Sequence, residues 1–168
     1  TLKLSGSEQA RWQVFDELIH HQNDNDPRID KDLKNLTPAL RTALKNTYNS
    51  LENERRSERG FIVYLISREL NSAEDMQFLK KVYEEPPCYS FERCDLLAES
   101  DPHLAGINEV SLNYPQLVGL YQLDQRLSTD ASLLENPAIK DEARNVNRMA
   151  LQHPIPAVQA RSREIQNK

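Results

Sequence analysis

Apolar side chains recur at helical spacing along most of the chain. Trp12, Phe15, Leu18 and Ile19 fall on one helical face, because residues three and four apart are neighbours on a helix surface. The same periodicity predicts the whole set of helices: 7–22, 38–51, 53–70, 73–84, 91–99, 114–127, 137–152 and one from 156 onward, with a helical turn after Pro27. Gly and β-branched runs are scarce, which also favours helix. The pattern predicts an all-α protein of about seven or eight helices.

One predicted helix is apolar on every side. Residues 61–66, FIVYLI, are an uninterrupted apolar run of the kind that a buried strand also shows. No second run of similar quality is present to pair with it, and its flanks, NERRSER and RELN, have helical composition. We therefore predict a central helix packed by neighbours all round. Gly60 at its start would permit close packing.

Helix starts are marked by a capping side chain followed by proline. Such a side chain accepts hydrogen bonds from amides without an intrahelical partner, and proline suits the first helical position because its missing N–H is not needed there. The four pairs are Asp26-Pro27, Thr37-Pro38, Asp101-Pro102 and Asn136-Pro137. Two further pairs, Ser5 with Glu8 and Ser72 with Asp75, have the spacing of a capping box. These signals predict a multi-helix chain.

Helices joined by short turns predict a stack of antiparallel hairpins. The stretch NRMALQHPIPAVQARSREI ends one helix, breaks at proline and starts the next. Its helix-ending and helix-starting residues are Ala150, Leu151, Val158, Ala160 and Arg161. This stretch resembles a HEAT-like α-helical repeat. The resemblance implies a scaffold or protein-binding role and not a reaction.

The HEAT-like resemblance extends over residues 40–79 and 113–165. We predict one α-solenoid-like domain over 1–168. Residues 1–36 would form an N-terminal cap, and 86–113 an irregular connector.

Composition and charge narrow the classes of partner. The chain has 168 residues, enough for one domain with a core, and a net charge of −5. An acidic chain gains no counterion release from DNA or RNA, so we do not expect nucleic acid as a partner. No stretch approaches the roughly 18 apolar residues that span a bilayer.

The chain begins at Thr1 and not Met, so we expect a processed or truncated product. A removed signal sequence and an excised domain are the alternatives.

The acidic segment NDNDPRIDKDL, residues 23–33, invites comparison with a calcium loop. A loop starting at Asp24 needs an oxygen ligand at position five, Gly at six and Glu at twelve. The chain has Arg28, Ile29 and Asn35 there. We therefore predict no metal site, and expect the acids to favour the positive end of a helix that Asp26 caps.

The two cysteines, Cys88 and Cys94, lack the second pair that a four-ligand zinc site needs. Two half-buried free thiols and one short disulfide both stay open. A disulfide would imply an oxidising, extracytoplasmic compartment, periplasmic or secreted, whereas free thiols fit the cytoplasm.

The charged segment NERRSERG, residues 53–60, places Arg55 and Arg59 on one helical face. Interleaved glutamates largely neutralise them, so we interpret this segment first as a solvated helix face. An anion or partner site is the alternative.

Linear catalytic motifs are absent from the sequence: it has no glycine-rich phosphate loop, nucleophile elbow or zinc-protease motif. We therefore predict no catalytic residues, no cofactor and no enzyme, but a module that binds a protein or peptide, with its oligomeric state open. The candidate partner-binding surface is Arg28, Asp30, Arg55 and Arg59. One alternative is a helical enzyme or small-ligand binder, its site assembled from Asp24, Asp26, Arg28, Arg55 or Arg59. The other is a structural subdomain of a longer protein.

Overall fold

All regular structure in the described residues is helical. The computed structural model describes residues 3–94, apart from 22 and 24, and 109–166. Its helices are α1 (Gly6–His21), α2 (Arg28–Lys31), α3 (Pro38–Ser50), α4 (Arg56–Ser67), α5 (Ala73–Glu84), α6 (Tyr114–Thr129), α7 (Pro137–Leu151) and α8 (Pro156–Gln166), with a 3-10 helix at Ala131–Glu135. The all-α prediction is confirmed for this part of the chain. Every helix in it is too short or too polar to cross a membrane.

Two short helical segments lie outside the predicted set, the 3-10 helix and residues 109–112. Conversely, residues 91–94 of the helix expected at 91–99 are not helical, and the rest of that range lies outside the described residues. The disulfide at Cys94 constrains this segment, and two prolines, Pro86 and Pro87, lie just upstream of it.

Helix starts follow the predicted capping chemistry. The carboxylate of Glu8 accepts from the Ser5 amide at 2.8 Å, and the Ser5 hydroxyl accepts from the Glu8 amide at 3.4 Å. Both halves of this capping box are therefore formed. Three prolyl entries also use the side chain before proline: Asp26 accepts from Arg28 N, Thr37 from Leu40 N, and Asn136 from Ala138 N. The fourth, at Asp101, lies outside the described residues.

The second predicted capping box forms only in part. The Ser72 hydroxyl accepts from the Asp75 amide at 3.2 Å, as expected. The carboxylate of Asp75 turns inward instead of back, and it pairs with Arg41 and Lys45. An aspartate that local spacing assigns to a cap is thus a buried charge.

Helix α4 is the centre of the molecule, as predicted. It packs against α1, α3, α5 and α6. Its apolar residues Ile62, Val63, Leu65 and Ile66 are completely buried. Burying each such side chain contributes about 1.5–3 kcal/mol, so this helix supplies much of the core's stability.

Close packing at Gly60 lets α4 and α6 approach each other. The ring of Tyr114, at the start of α6, lies where a Cβ at Gly60 would be, only 2.0 Å from its ideal position. The predicted role of this glycine is confirmed.

The helices pack in a regular pairwise order. The most extensive contacts join α4 to α6 and α5 to α7. Helix α8 lies against both α6 and α7, while α1 and α3 contact α4.

Candidate functional site

A surface pocket of about 440 Å³ opens where the α2–α3 connection meets the end of α4 and the side of α6. Polar and charged side chains dominate its wall: Lys34, Asn35, Leu36, Arg41, Arg68, Glu69, Asn71 and Arg126. Four of these side chains are cations and one is a carboxylate. The volume lies in the range of ordinary ligand pockets.

The connection that forms one wall is fixed from two sides. Arg11 donates to the backbone carbonyls of Asp32 and Lys34, each at 2.6 Å. The carboxylate of Glu69 accepts from the amides of Asn35 at 2.5 Å and Leu36 at 3.0 Å. Asn35 has φ of 55°, a left-handed conformation that asparagine adopts more readily than most residues. This wall is therefore pre-formed.

Arg68 links the end of α4 to α2. Its guanidinium donates to the carbonyls of Ile29 at 2.9 Å and Leu33 at 2.7 Å, and to the carboxylate of Asp30 at 3.2 Å. It also lies over the ring of Tyr64, 5.2 Å from the ring centre. A cation at carbonyls that end a helix stabilises that end, so this arginine orients α2 beside the pocket.

The floor of the pocket is a buried ionic network. The Asp75 side chain is only 1% exposed and pairs with Arg41 and Lys45, each at 2.9 Å. Arg41 also donates to the Glu69 carboxylate at 3.3 Å and to the carbonyls of Leu36, Ile66 and Glu69. These bonds tie α3, α5 and the end of α4 together. A buried carboxylate needs such partners, because an isolated charge in the interior is very costly.

Two side chains at the rim of the pocket, Arg126 and Lys34, have fewer hydrogen-bond partners than Arg41 at its floor. Arg126 donates through Nη2 to the Leu70 carbonyl and to Asp130, both at 3.2 Å, and its buried Nε has no hydrogen-bond partner. Lys34 is exposed and forms no ion pair within the described residues. The pocket is thus suited to a ligand with negative charge or hydrogen-bond acceptors.

The four residues of the predicted partner surface lie at two ends of α4. Arg28 is half-buried and pairs with Asp26 at 3.0 Å and Glu17 at 2.7 Å. Asp30 is exposed and pairs with Arg68 at the pocket. The hydrogen bonds between Arg28 and Asp26 raise the pKa of the guanidinium and lower the pKa of the carboxyl. Asp30 therefore adjoins the pocket through Arg68, whereas Arg28 is held by Asp26 and Glu17.

The other half lies at the start of α4, about 18 Å away along a helix of twelve residues. Arg55 is exposed and pairs with Glu58 at 2.7 Å. Arg59 is only 3% exposed, so it cannot belong to a surface. Its guanidinium lies 3.9 Å from the centre of the Tyr48 ring and pairs with Glu85 at 2.5 Å.

The interpretation of residues 53–60 as a solvated face is wrong for Arg56 and Arg59, which are buried, and holds for Arg55, which is exposed. Arg56 is 2% exposed and donates to the carbonyls of Leu112 and Asn53 and to the side chain of Gln116. Burial lowers the pKa of this guanidinium. These arginines hold neighbouring helix ends in place.

The structure joins Cys88 and Cys94 in a disulfide, one of the two alternatives that the sequence left open. The Cys94 amide donates to the carboxylate of Glu54 at 2.7 Å. This bond anchors the disulfide loop to the connection between α3 and α4.

Metal-binding clusters are not found in the part of the chain that the structure describes: no three His, Cys, Asp or Glu side chains there converge. Asp24, one of the acids considered for a ligand site, lies outside that part. Asp26 is committed to its bonds with Arg28.

Sequence reasoning did not single out the pocket residues. One signal was present in α3, where Arg41, Leu44 and Tyr48 share the buried face of the helix. An arginine on an apolar face requires a buried partner, and Asp75 is that partner.

The described residues define an all-helical protein with a cationic pocket beside its central helix. Comparisons with protein-family models, curated proteins and solved structures find no match for the chain. Its function must therefore be argued from the geometry.

Proposed function

We propose that this chain is a HEAT-like helical-repeat module that binds a protein or peptide and has no enzymatic activity of its own. One observation carries the proposal. Helix α4 packs along α6, and α5, the next helix after α4, packs along α7, the next helix after α6. Packing of one helix pair on the next pair along the chain is what a solenoid of stacked helical repeats requires.

The flanking helices fit the same arrangement. Helices α1 and α3 contact α4, and α8 lies against both α6 and α7. Helix α1 lies in residues 1–36, which the sequence predicts as a cap, and its contact with α4 is one that a cap on the stack would make.

The pocket chemistry favours recognition over proton transfer. A general base needs a lone pair within hydrogen-bond reach of the substrate. The oxygens of Glu69 accept from two backbone amides and Arg41, and those of Asp75 face Arg41 and Lys45. Carboxylates held in this way shape a binding surface.

Site-specific photocrosslinking in the native host tests the proposal. A photoreactive phenylalanine analogue is placed at one exposed position on each long helix and at Lys34 on the pocket rim. We expect an adduct with one identified protein at neighbouring positions, and its loss when excess unlabelled chain is added. The purified pair should then bind with a measurable, saturable Kd. Adducts at no position, or adducts that excess chain does not displace, would contradict a binding module.

A further inference from the structure

The wall of the pocket has an excess of positive charge. Lys34, Arg41, Arg68 and Arg126 face one carboxylate, that of Glu69. Glu69 is itself occupied by backbone amides and by Arg41. The wall therefore offers donors and cations to whatever enters.

Three carboxylates beyond the wall pair with these cations. Asp75, below the floor, is shared between Arg41 and Lys45. Asp30 and Asp130 pair with Arg68 and Arg126 from outside. With Lys45 included, five cations face four carboxylates.

The outer carboxylates compensate their partners weakly. Asp30 is 84% exposed and Asp130 is 34% exposed at the side chain, so water and salt screen both ion pairs. Arg68 is 10% exposed and Arg126 is 27% exposed. Four carboxylates therefore face five cations, two of them through screened ion pairs, and a net positive charge remains at the pocket.

Several donors at the pocket have no acceptor within the described residues. Arg126 donates only through Nη2, and Lys34 forms no ion pair. The side-chain amides of Asn35 and Asn71 also form no hydrogen bond there. Together they present the Nη1 group of Arg126, an ammonium group and two amides.

We infer that this pocket binds a carboxylate side chain from an acidic segment of a peptide or protein partner, an inference that rests on the proposed function. The Nη1 group of Arg126 and the ammonium group of Lys34 can each donate a charge-assisted hydrogen bond to an oxygen of a carboxylate. The pocket volume of about 440 Å³ accommodates such a side chain with its adjoining backbone. A phosphate group would use the same donors, so the test includes it as a separate probe.

Nuclear magnetic resonance titration of the full chain tests this inference. The probes, at matched ionic strength, are a capped pentaglutamate peptide, a capped pentaglutamine peptide and inorganic phosphate. We expect pentaglutamate to shift the side-chain amide signals of Asn35 and Asn71 and the guanidinium signal of Arg126 saturably. Pentaglutamine should leave them in place.

Matched variants locate the binding. Lys34→Gln and Arg126→Gln should each weaken pentaglutamate binding about tenfold, the effect of losing one charge-assisted hydrogen bond. Lys81→Gln removes an equally exposed lysine of α5 that does not line the pocket, and it should leave the Kd unchanged. Lys34 makes no ion pair within the described residues, so its variant should fold even if the Arg126 variant does not.

Three results would overturn the inference: no shift at the pocket with pentaglutamate, saturation by phosphate alone, or an equal loss of affinity in Lys81→Gln. The proposed function is tested separately, by the photocrosslinking experiment. A displaceable crosslinked partner together with a silent pocket would leave the binding module standing and remove this site.

Discussion

Replacing Gly60 with alanine would place a methyl carbon where the Tyr114 ring already lies. The ideal Cβ is 2.0 Å from Cδ1 and 2.5 Å from Cε1, whereas ordinary contact begins at 3.4 Å. The ring or the helix axis must therefore move by about 1.4 Å, the difference between 3.4 and 2.0 Å. Both residues lie in the α4–α6 interface, the most extensive helix pair of the molecule.

Two opposing contributions set the size of the effect. Alanine stabilises a helix interior by about 1 kcal/mol relative to glycine. Overpacking a well-filled interior costs about 1–3 kcal/mol, and a clash this short with a rigid ring falls at the upper end. We expect Gly60→Ala to lower the unfolding free energy by about 2 kcal/mol, which corresponds to about 4–8 °C in Tm for a chain of this size.

Urea unfolding followed by circular dichroism measures this change, and a second background separates its causes. In a Tyr114→Ala chain the ring is gone, so the same Gly60→Ala change should stabilise the protein by up to about 1 kcal/mol. The sign of the effect thus reverses between backgrounds. Stabilisation of the native chain by Gly60→Ala, or equal effects in both backgrounds, would refute the close approach.

Three further predictions concern buried charge, pH and the disulfide. Asp75→Asn should cost about 3–5 kcal/mol in urea unfolding, because it leaves two cations without their buried partner. The exposed Asp141→Asn change should cost under about 1 kcal/mol, and equal costs would contradict the network. Burial lowers the pKa of His153 from 6.5 to about 4, so the unfolded chain takes up this proton first as pH falls. The stabilisation is present above pH 6.5 and should be lost progressively as the pH falls from 6.5 to about 4. A His153→Asn chain should lose that slope, and an unchanged slope would assign it to other groups. Alkylation of denatured protein should label neither Cys88 nor Cys94 before reduction and both after it, while replacing both with serine should cost about 2 kcal/mol. Labelling without reductant would contradict the disulfide.

Capping side chains and apolar periodicity, which both act within a few residues, were enough to predict most of the helices. The predicted helix at 73–84 matches α5, Ala73–Glu84, because its cap and apolar face act within one or two turns. The all-apolar run at 61–66 placed α4 at the centre for a similar reason: no arrangement other than burial on all sides removes it from water. The glycine at its start indicated a close approach, although not which side chain approaches.

Site residues were harder to predict, because their partners are distant in sequence. Asp75 has the spacing of a capping residue, and nothing within four positions of it reveals Arg41, thirty-four residues away. Arg59 was assigned to a surface because glutamates neighbour it, yet its counter-charge is Glu85. The connection at Asn35 becomes a pocket wall only through Glu69 and Arg11.

By itself, the sequence determined most of the helical segments, where most helices begin and which helix is central. These properties follow from hydrogen bonds and apolar periodicity that span a few residues. Only the tertiary structure decided which charges meet, which arginines are buried and where a cationic pocket opens. The ion pairs Arg41–Asp75, Arg68–Asp30 and Arg161–Asp124 each join residues more than thirty positions apart. Such pairs depend on how whole helices pack, and spacing along the chain does not encode that directly.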